Sequence, residues 1–214
     1  VVTIRSRTAG TSGVSGALVV SAGTSVQGNS GAIEIGTGAA TAGRGGMVLV
    51  TVGSGTSGVG GAIVADAGRS TVHTGGAVHL SSGEGTATSS GVVTIRSINS
   101  GTSGVSGALI FSSGTAVSGN SGAIELGTGV TTAGRGGMVL ITVGSGTSGA
   151  GGAVVADAGR STINTGGAVH LASGEGTATS SGAIMVRSIN AGTSGASGVL
   201  MFSTGTAIAG NSGA

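Results

Sequence analysis

The chain has 214 residues, of which 50 are glycine, and it contains no proline, cysteine, tryptophan or tyrosine. Charged residues make up 7% of it, and the formal net charge at pH 7 is +2. Collagen is excluded because glycine does not occupy every third position, and the mean hydropathy of +0.48 argues against intrinsic disorder. No cluster of cations and no apolar run of membrane-spanning length is present, so the sequence predicts neither nucleic-acid binding nor membrane insertion.

Five consecutive rows of fifteen residues fill residues 15–89. Each row opens with Gly-Gly or Ser-Gly, places apolar residues at its fourth and sixth positions, and has glycine at its ninth. The rows read SGALVVSAGTSVQGN, SGAIEIGTGAATAGR, GGMVLVTVGSGTSGV, GGAIVADAGRSTVHT and GGAVHLSSGEGTATS. The next row, which begins at Ser90, has sixteen residues, and we expect a bulge near Ser97-Ile98-Asn99. A fixed short period of this kind is typical of repeat proteins.

A second period of 91 residues encloses six rows. The segment VVTIRS at Val1 recurs at Val92, and GRGGM at Gly43 recurs at Gly134. The superrepeat copies are residues 1–91, 92–182 and, incompletely, 183–214. Since Val1 starts within a row, we interpret residues 1–214 as one continuous segment of a longer repeat array.

Alternation within each row predicts a β-strand. The fourth, sixth and eighth positions, such as Leu18, Val20 and Ala22, share one face. One row cannot bury that face alone, so the rows are expected to stack with their strands in parallel. The predicted fold is all-β, a parallel β-solenoid (β-helix) of 15-residue rungs in which every sixth rung has 16. We expect right-handed coiling, glycine corners at the first, second and ninth positions, and an inward column at the twelfth position.

Charged residues are too few to predict an active site. Arg69 and Glu84 share the tenth position of successive rows, as do Arg160 and Glu175. We interpret them as cross-rung ion pairs worth about 0–1 kcal/mol; the alternative is a substrate-binding or acid/base role. His79 and Glu84 are predicted on different faces and lack an oriented nucleophile. The sequence therefore predicts no enzyme, no metal and no cofactor.

The fifth position of each row is predicted to face outward and to be largely apolar. We expect this face to pack laterally against another copy, with the polar members setting the register. Duplication of a 91-residue unit without any such role is the alternative. The predicted lateral packing face is Val19, Glu34, Leu49, Val64, His79, Ile110, Glu125, Leu140, Val155 and His170.

Four segments carry a resemblance to known proteins: SGTSGVSGAL, GNSGAIE, TAGRGG and TGGAVHLSSGEGTATSSG. They resemble the long Gly/Ser/Thr-rich repeat proteins of the surfaces of diatoms and related algae. The resemblance covers the whole chain and implies a secreted, fibrous or cell-surface role, with no catalytic residue to carry over. N-linked sequons are absent, while the many Ser and Thr residues leave O-glycosylation and contact with surface glycans open.

These observations favour a structural protein that forms an extracellular filament by axial stacking and lateral packing of solenoids, with other copies of the chain as partners. An ice-binding solenoid is the alternative, because regular threonine arrays on a flat face can order water. A polysaccharide-degrading β-helix ranks third, since clustered carboxylates and aromatic platforms are missing. A solenoid requires that equivalent side chains of successive rows lie above one another. An irregular coil would therefore exclude both the solenoid and the filament role based on it.

Overall fold

The computed structural model describes residues 1–208 and 212–213 and shows neither a helix nor a strand in them. The predicted parallel β-solenoid is therefore wrong, because its rungs and their paired strands do not form in the described residues. The chain divides into two units, Val1–Ala108 and Leu109–Ala214. Residues 209–211 and 214, near the end of the incomplete third copy, lie outside the described residues.

The absence of rungs leaves the chain almost fully exposed to solvent. Every described residue is exposed except for six small ones that are half-buried, namely Ser6, Ala9, Ala22, Gly85, Gly176 and Ala191. The accessible area is 21085 Å², against roughly 8,500 Å² for a folded protein of this mass and roughly 28,000 Å² for its unfolded chain. Each row has few large apolar side chains, while each glycine loses much backbone entropy on ordering. The alternation of apolar and polar residues does not show whether the apolar area buried by stacking would outweigh the backbone entropy lost on ordering.

Sharp backbone bends recur along the chain with the spacing of the rows. They lie at the twelfth to fourteenth positions, at residues 26–28, 41–43, 56–58, 71–73 and 86–88. In the sixteen-residue row the bend moves by one position, to residues 102–104. The extra residue therefore precedes the bend and displaces it; with no sheet in the described residues, the predicted β-bulge is not formed.

Glycine completes several of these bends. Gly13, Gly28 and Gly119 end their bends with φ values of 136°, 105° and 113°, a region that residues with a Cβ rarely adopt. The predicted corners at the first, second and ninth positions are thus misplaced. The sharp bends lie between the ninth position of one row and the second position of the next.

Backbone hydrogen bonds close four nine-residue loops around such bends. The Gly76 N–H donates to the Gly68 carbonyl at 2.8 Å, and the Gly91 N–H donates to the Gly83 carbonyl at 2.9 Å. The second unit repeats both bonds in residues 159–167 and 174–182, at 2.8 and 2.9 Å. In each loop the ninth-position glycine accepts from the second-position glycine of the following row. These closed loops are the recurring local structure of the chain.

The second-position glycine makes room for the eighth-position side chain of the preceding row. A Cβ at Gly61 would lie 2.5 Å from Val52 Cγ1, and one at Gly152 would lie 2.5 Å from Val143 Cγ1. Val52 and Val143, at 40% exposed, are the most covered large apolar side chains of the described residues. At Gly31, where the neighbour is the Cβ of Ala22, the distance is an ordinary 3.5 Å.

Replacing Gly61→Ala should therefore move Val52 away from residue 61, whereas Gly31→Ala should leave the approach of residues 22 and 31 unchanged. Relieving a contact this close costs about 1 kcal/mol, which lowers the population of the conformation with Val52 against residue 61 about fivefold. The measurement is the NMR cross-relaxation between the residue 52 methyls and the residue 61 Hα. The double variant Val52→Ala with Gly61→Ala should restore the approach, measured through the residue 52 Cβ protons. An equal loss in Gly31→Ala, measured between residues 22 and 31, would contradict this explanation.

Serine at the eleventh position organises the bend in one row of each complete copy. The His73 N–H donates to Ser70 Oγ at 2.9 Å, and the Asn164 N–H donates to Ser161 Oγ at 2.9 Å. Such local side-chain to backbone bonds are typical of turns that begin with serine. Because the bond uses the backbone N–H, the change from His73 to Asn164 between the copies leaves it intact.

Candidate functional site

The four residues of the predicted ion pairs are all exposed. These are Arg69, Glu84, Arg160 and Glu175. The side-chain hydrogen bonds recorded for the described residues are made by serine and threonine hydroxyls, and none of them involves these four. The ion pairs stay a prediction, which no longer has stacked rungs to support it.

Other kinds of site are not formed by the part of the chain that the structure describes. Residues 1–208 and 212–213 contain no group of three His, Cys, Asp or Glu side chains that could hold a metal ion, and no pocket is present there. Within the same residues, no helix of a length and hydrophobicity suited to crossing a membrane occurs.

The predicted outward and inward faces do not separate. Leu49, at the outward fifth position, is 73% exposed, and Val48, at the inward fourth position, is 53% exposed. The difference is in the expected direction, but neither side chain is buried. The twelfth-position column is the clearest error, because Val26 and Val117 are fully exposed at their bends. Both faces of each row are available for contact with another molecule.

The lateral packing face also remains a prediction, because its side chains are exposed like those of the opposite face. Its apolar members, Val19, Leu49, Val64, Ile110, Leu140 and Val155, are between 73% and 79% exposed. Its charged and histidine members, Glu34, His79, Glu125 and His170, are also exposed. The ice-binding alternative loses the stacked rungs that were expected to supply its flat threonine face, since the described residues contain no strand.

The third row of each complete copy holds the longest uncharged run of large side chains. We call residues 47–52 (MVLVTV) and 138–143 (MVLITV) the apolar segments. Their Met, Val, Leu and Ile side chains are between 40% and 78% exposed. Dividing each row into two alternating faces missed these segments as units. The signal that could have identified them is six successive β-favouring residues without charge or glycine.

No protein family, no curated protein and no solved structure matches this chain.

Proposed function

We propose that this chain is a structural protein that works by associating with further copies of itself. The observation that carries the proposal is the exposure of its large apolar side chains, none of which is buried in the described residues. Apolar surface on this scale drives association, since burying it in water-free contacts yields about 25 cal/mol per Å². The proposal therefore rests on exposed apolar side chains. It does not rest on axial stacking of rungs, because no rungs form in the described residues.

Charge and repetition favour association with identical chains. The formal net charge of +2 over 214 residues leaves little electrostatic repulsion between copies. Because the rows recur in every copy of the superrepeat, a contact made by one row can be made again 91 residues further on. Repeated contacts of this kind strengthen binding through multivalency and suit an extended material.

An extracellular or cell-surface location belongs to the same proposal. Its support is the resemblance of the Gly/Ser/Thr-rich repeats to algal surface proteins, together with the exposure of their hydroxyl side chains. Those hydroxyls are available to hydrogen-bond surface glycans, which the proposal includes as secondary partners. The proposal requires no catalytic residue and no cofactor.

Sedimentation velocity across a wide range of protein concentration tests the proposal. We expect the weight-average sedimentation coefficient to rise with concentration and large assemblies to form at the upper end. Electron microscopy of that fraction should show regular fibres. A chain that sediments as a monomer at every concentration, under conditions where it stays soluble, would contradict a self-associating role.

A further inference from the structure

We propose that the two apolar segments, residues 47–52 and 138–143, pair in parallel and in register with the same segments of other copies, as intermolecular β-strands. This inference rests on the proposed function and names the contact that produces association. The partner is a second copy of this chain.

Composition selects these segments. Short runs of high β-propensity without charge, proline or glycine form tightly packed cross-β contacts. Both segments fit, with only methionine, valine, leucine, isoleucine and one threonine each. In-register pairing places identical side chains beside one another, which is favourable for branched apolar residues and unfavourable for charges.

The equivalent segments of most other rows carry a titratable side chain. Four rows of the first copy carry a titratable side chain in the same six positions, namely Arg5, Glu34, Asp66 and His79. In-register pairing would bring like charges together in those rows when they are ionised. Residues 17–22, 108–113 and 199–204 are uncharged, but the first is limited by alanine at both ends, the second ends in two serines, and the third ends in serine and threonine.

The structure leaves the apolar segments free to pair. Val48, Leu49 and Val50 are 53%, 73% and 69% exposed. The backbone hydrogen bonds recorded for the described residues close the loops at 68–76, 83–91, 159–167 and 174–182, and none involves an apolar segment. An exposed apolar backbone with unused N–H and carbonyl groups is a template for strand pairing with another chain.

Two segments per chain make the assembly extensible. They lie 91 residues apart in the sequence, so each chain can engage one partner through each segment. Arg44 and Arg135 precede them by three residues and oppose in-register pairing. Two glycines separate each arginine from its segment, which lets the arginines diverge while the segments pair.

Proline substitution in the full-length chain tests this inference. Val50→Pro with Ile141→Pro removes a strand N–H from each apolar segment and should block pairing. The matched control is Ile95→Pro with Val186→Pro, which changes one isoleucine and one valine at the same sixth position of a row that contains arginine. We expect the first pair to raise the threshold concentration for assembly at least about tenfold, and the control to leave it nearly unchanged.

Fibre diffraction of the wild-type assemblies supplies an independent readout, with a reflection expected at about 4.7–4.8 Å. Equal thresholds for the two proline variants, or assemblies without that reflection, would overturn the inference while leaving the proposed function standing. Wild-type chain that stays monomeric would overturn the proposed function, and this inference with it.

Discussion

Replacing Leu49→Asp together with Leu140→Asp should keep the chain monomeric at concentrations where the wild type assembles. Both leucines belong to the predicted lateral packing face and to the apolar segments, and both are 73% exposed. Burying a leucine side chain on association contributes about 1.5–3 kcal/mol. Losing two of them should weaken association by about 3 kcal/mol or more, which is over about a hundredfold in the association constant. Sedimentation velocity and light scattering measure the shift.

The matched control for that variant is Ser54→Asp with Ser145→Asp. It adds the same two charges within the same rows and removes no apolar side chain. We expect its assembly threshold to stay close to that of the wild type. If the serine variant dissociated as completely as the leucine variant, the added charge would be the cause, and apolar contact at the fifth position would not be.

The period of the local structure was accessible from the sequence, whereas the fold was not. Row spacing places the bends, because each of the five rows in residues 15–89 has serine or glycine at its eleventh position, glycine at its fourteenth, or both. Ser70 bonds the His73 backbone, and Gly28 adopts a positive φ. These are local effects that depend on residues close in sequence. Stacking of rows depends on whether the buried area exceeds the entropy of ordering, and alternation does not report that balance.

The candidate site was predictable to a similar extent. The fifth position is exposed, with Leu49 as an example, but the fourth and sixth positions are exposed too, so the predicted outward face stays a prediction. The expected interior position of Val26 is wrong, because a column that holds both valine and threonine occurs at an exposed bend as readily as in a core. The second-position glycine was assigned to a corner, while Gly61 instead accommodates Val52. A contact nine residues away, rather than a φ requirement, sets that preference.

Amide hydrogen exchange should show an almost unprotected chain. Since the described residues have no strands and no buried side chains, most amides are open to water. We expect exchange within about tenfold of the free-peptide rates along residues 1–208, because protection reflects the free energy of opening. The amides of Gly76, Gly91, Gly167 and Gly182 donate backbone hydrogen bonds and should be the slowest. A stacked solenoid would instead protect a strand in every row.

The most direct test is residue-resolved amide hydrogen exchange on the wild-type chain, diluted below its assembly threshold. It measures whether a single copy forms protected backbone structure and buries its apolar side chains without a partner. The predicted result is weak protection confined to the four loop glycines and to His73 and Asn164, whose amides donate to serine hydroxyls, with the apolar segments exchanging as fast as their neighbours. Protection of about 10³-fold or more, recurring at fifteen-residue intervals in the dilute monomer, would show a cooperatively folded stack. That outcome would contradict the claim that the apolar side chains of this chain are buried only when it associates with other copies.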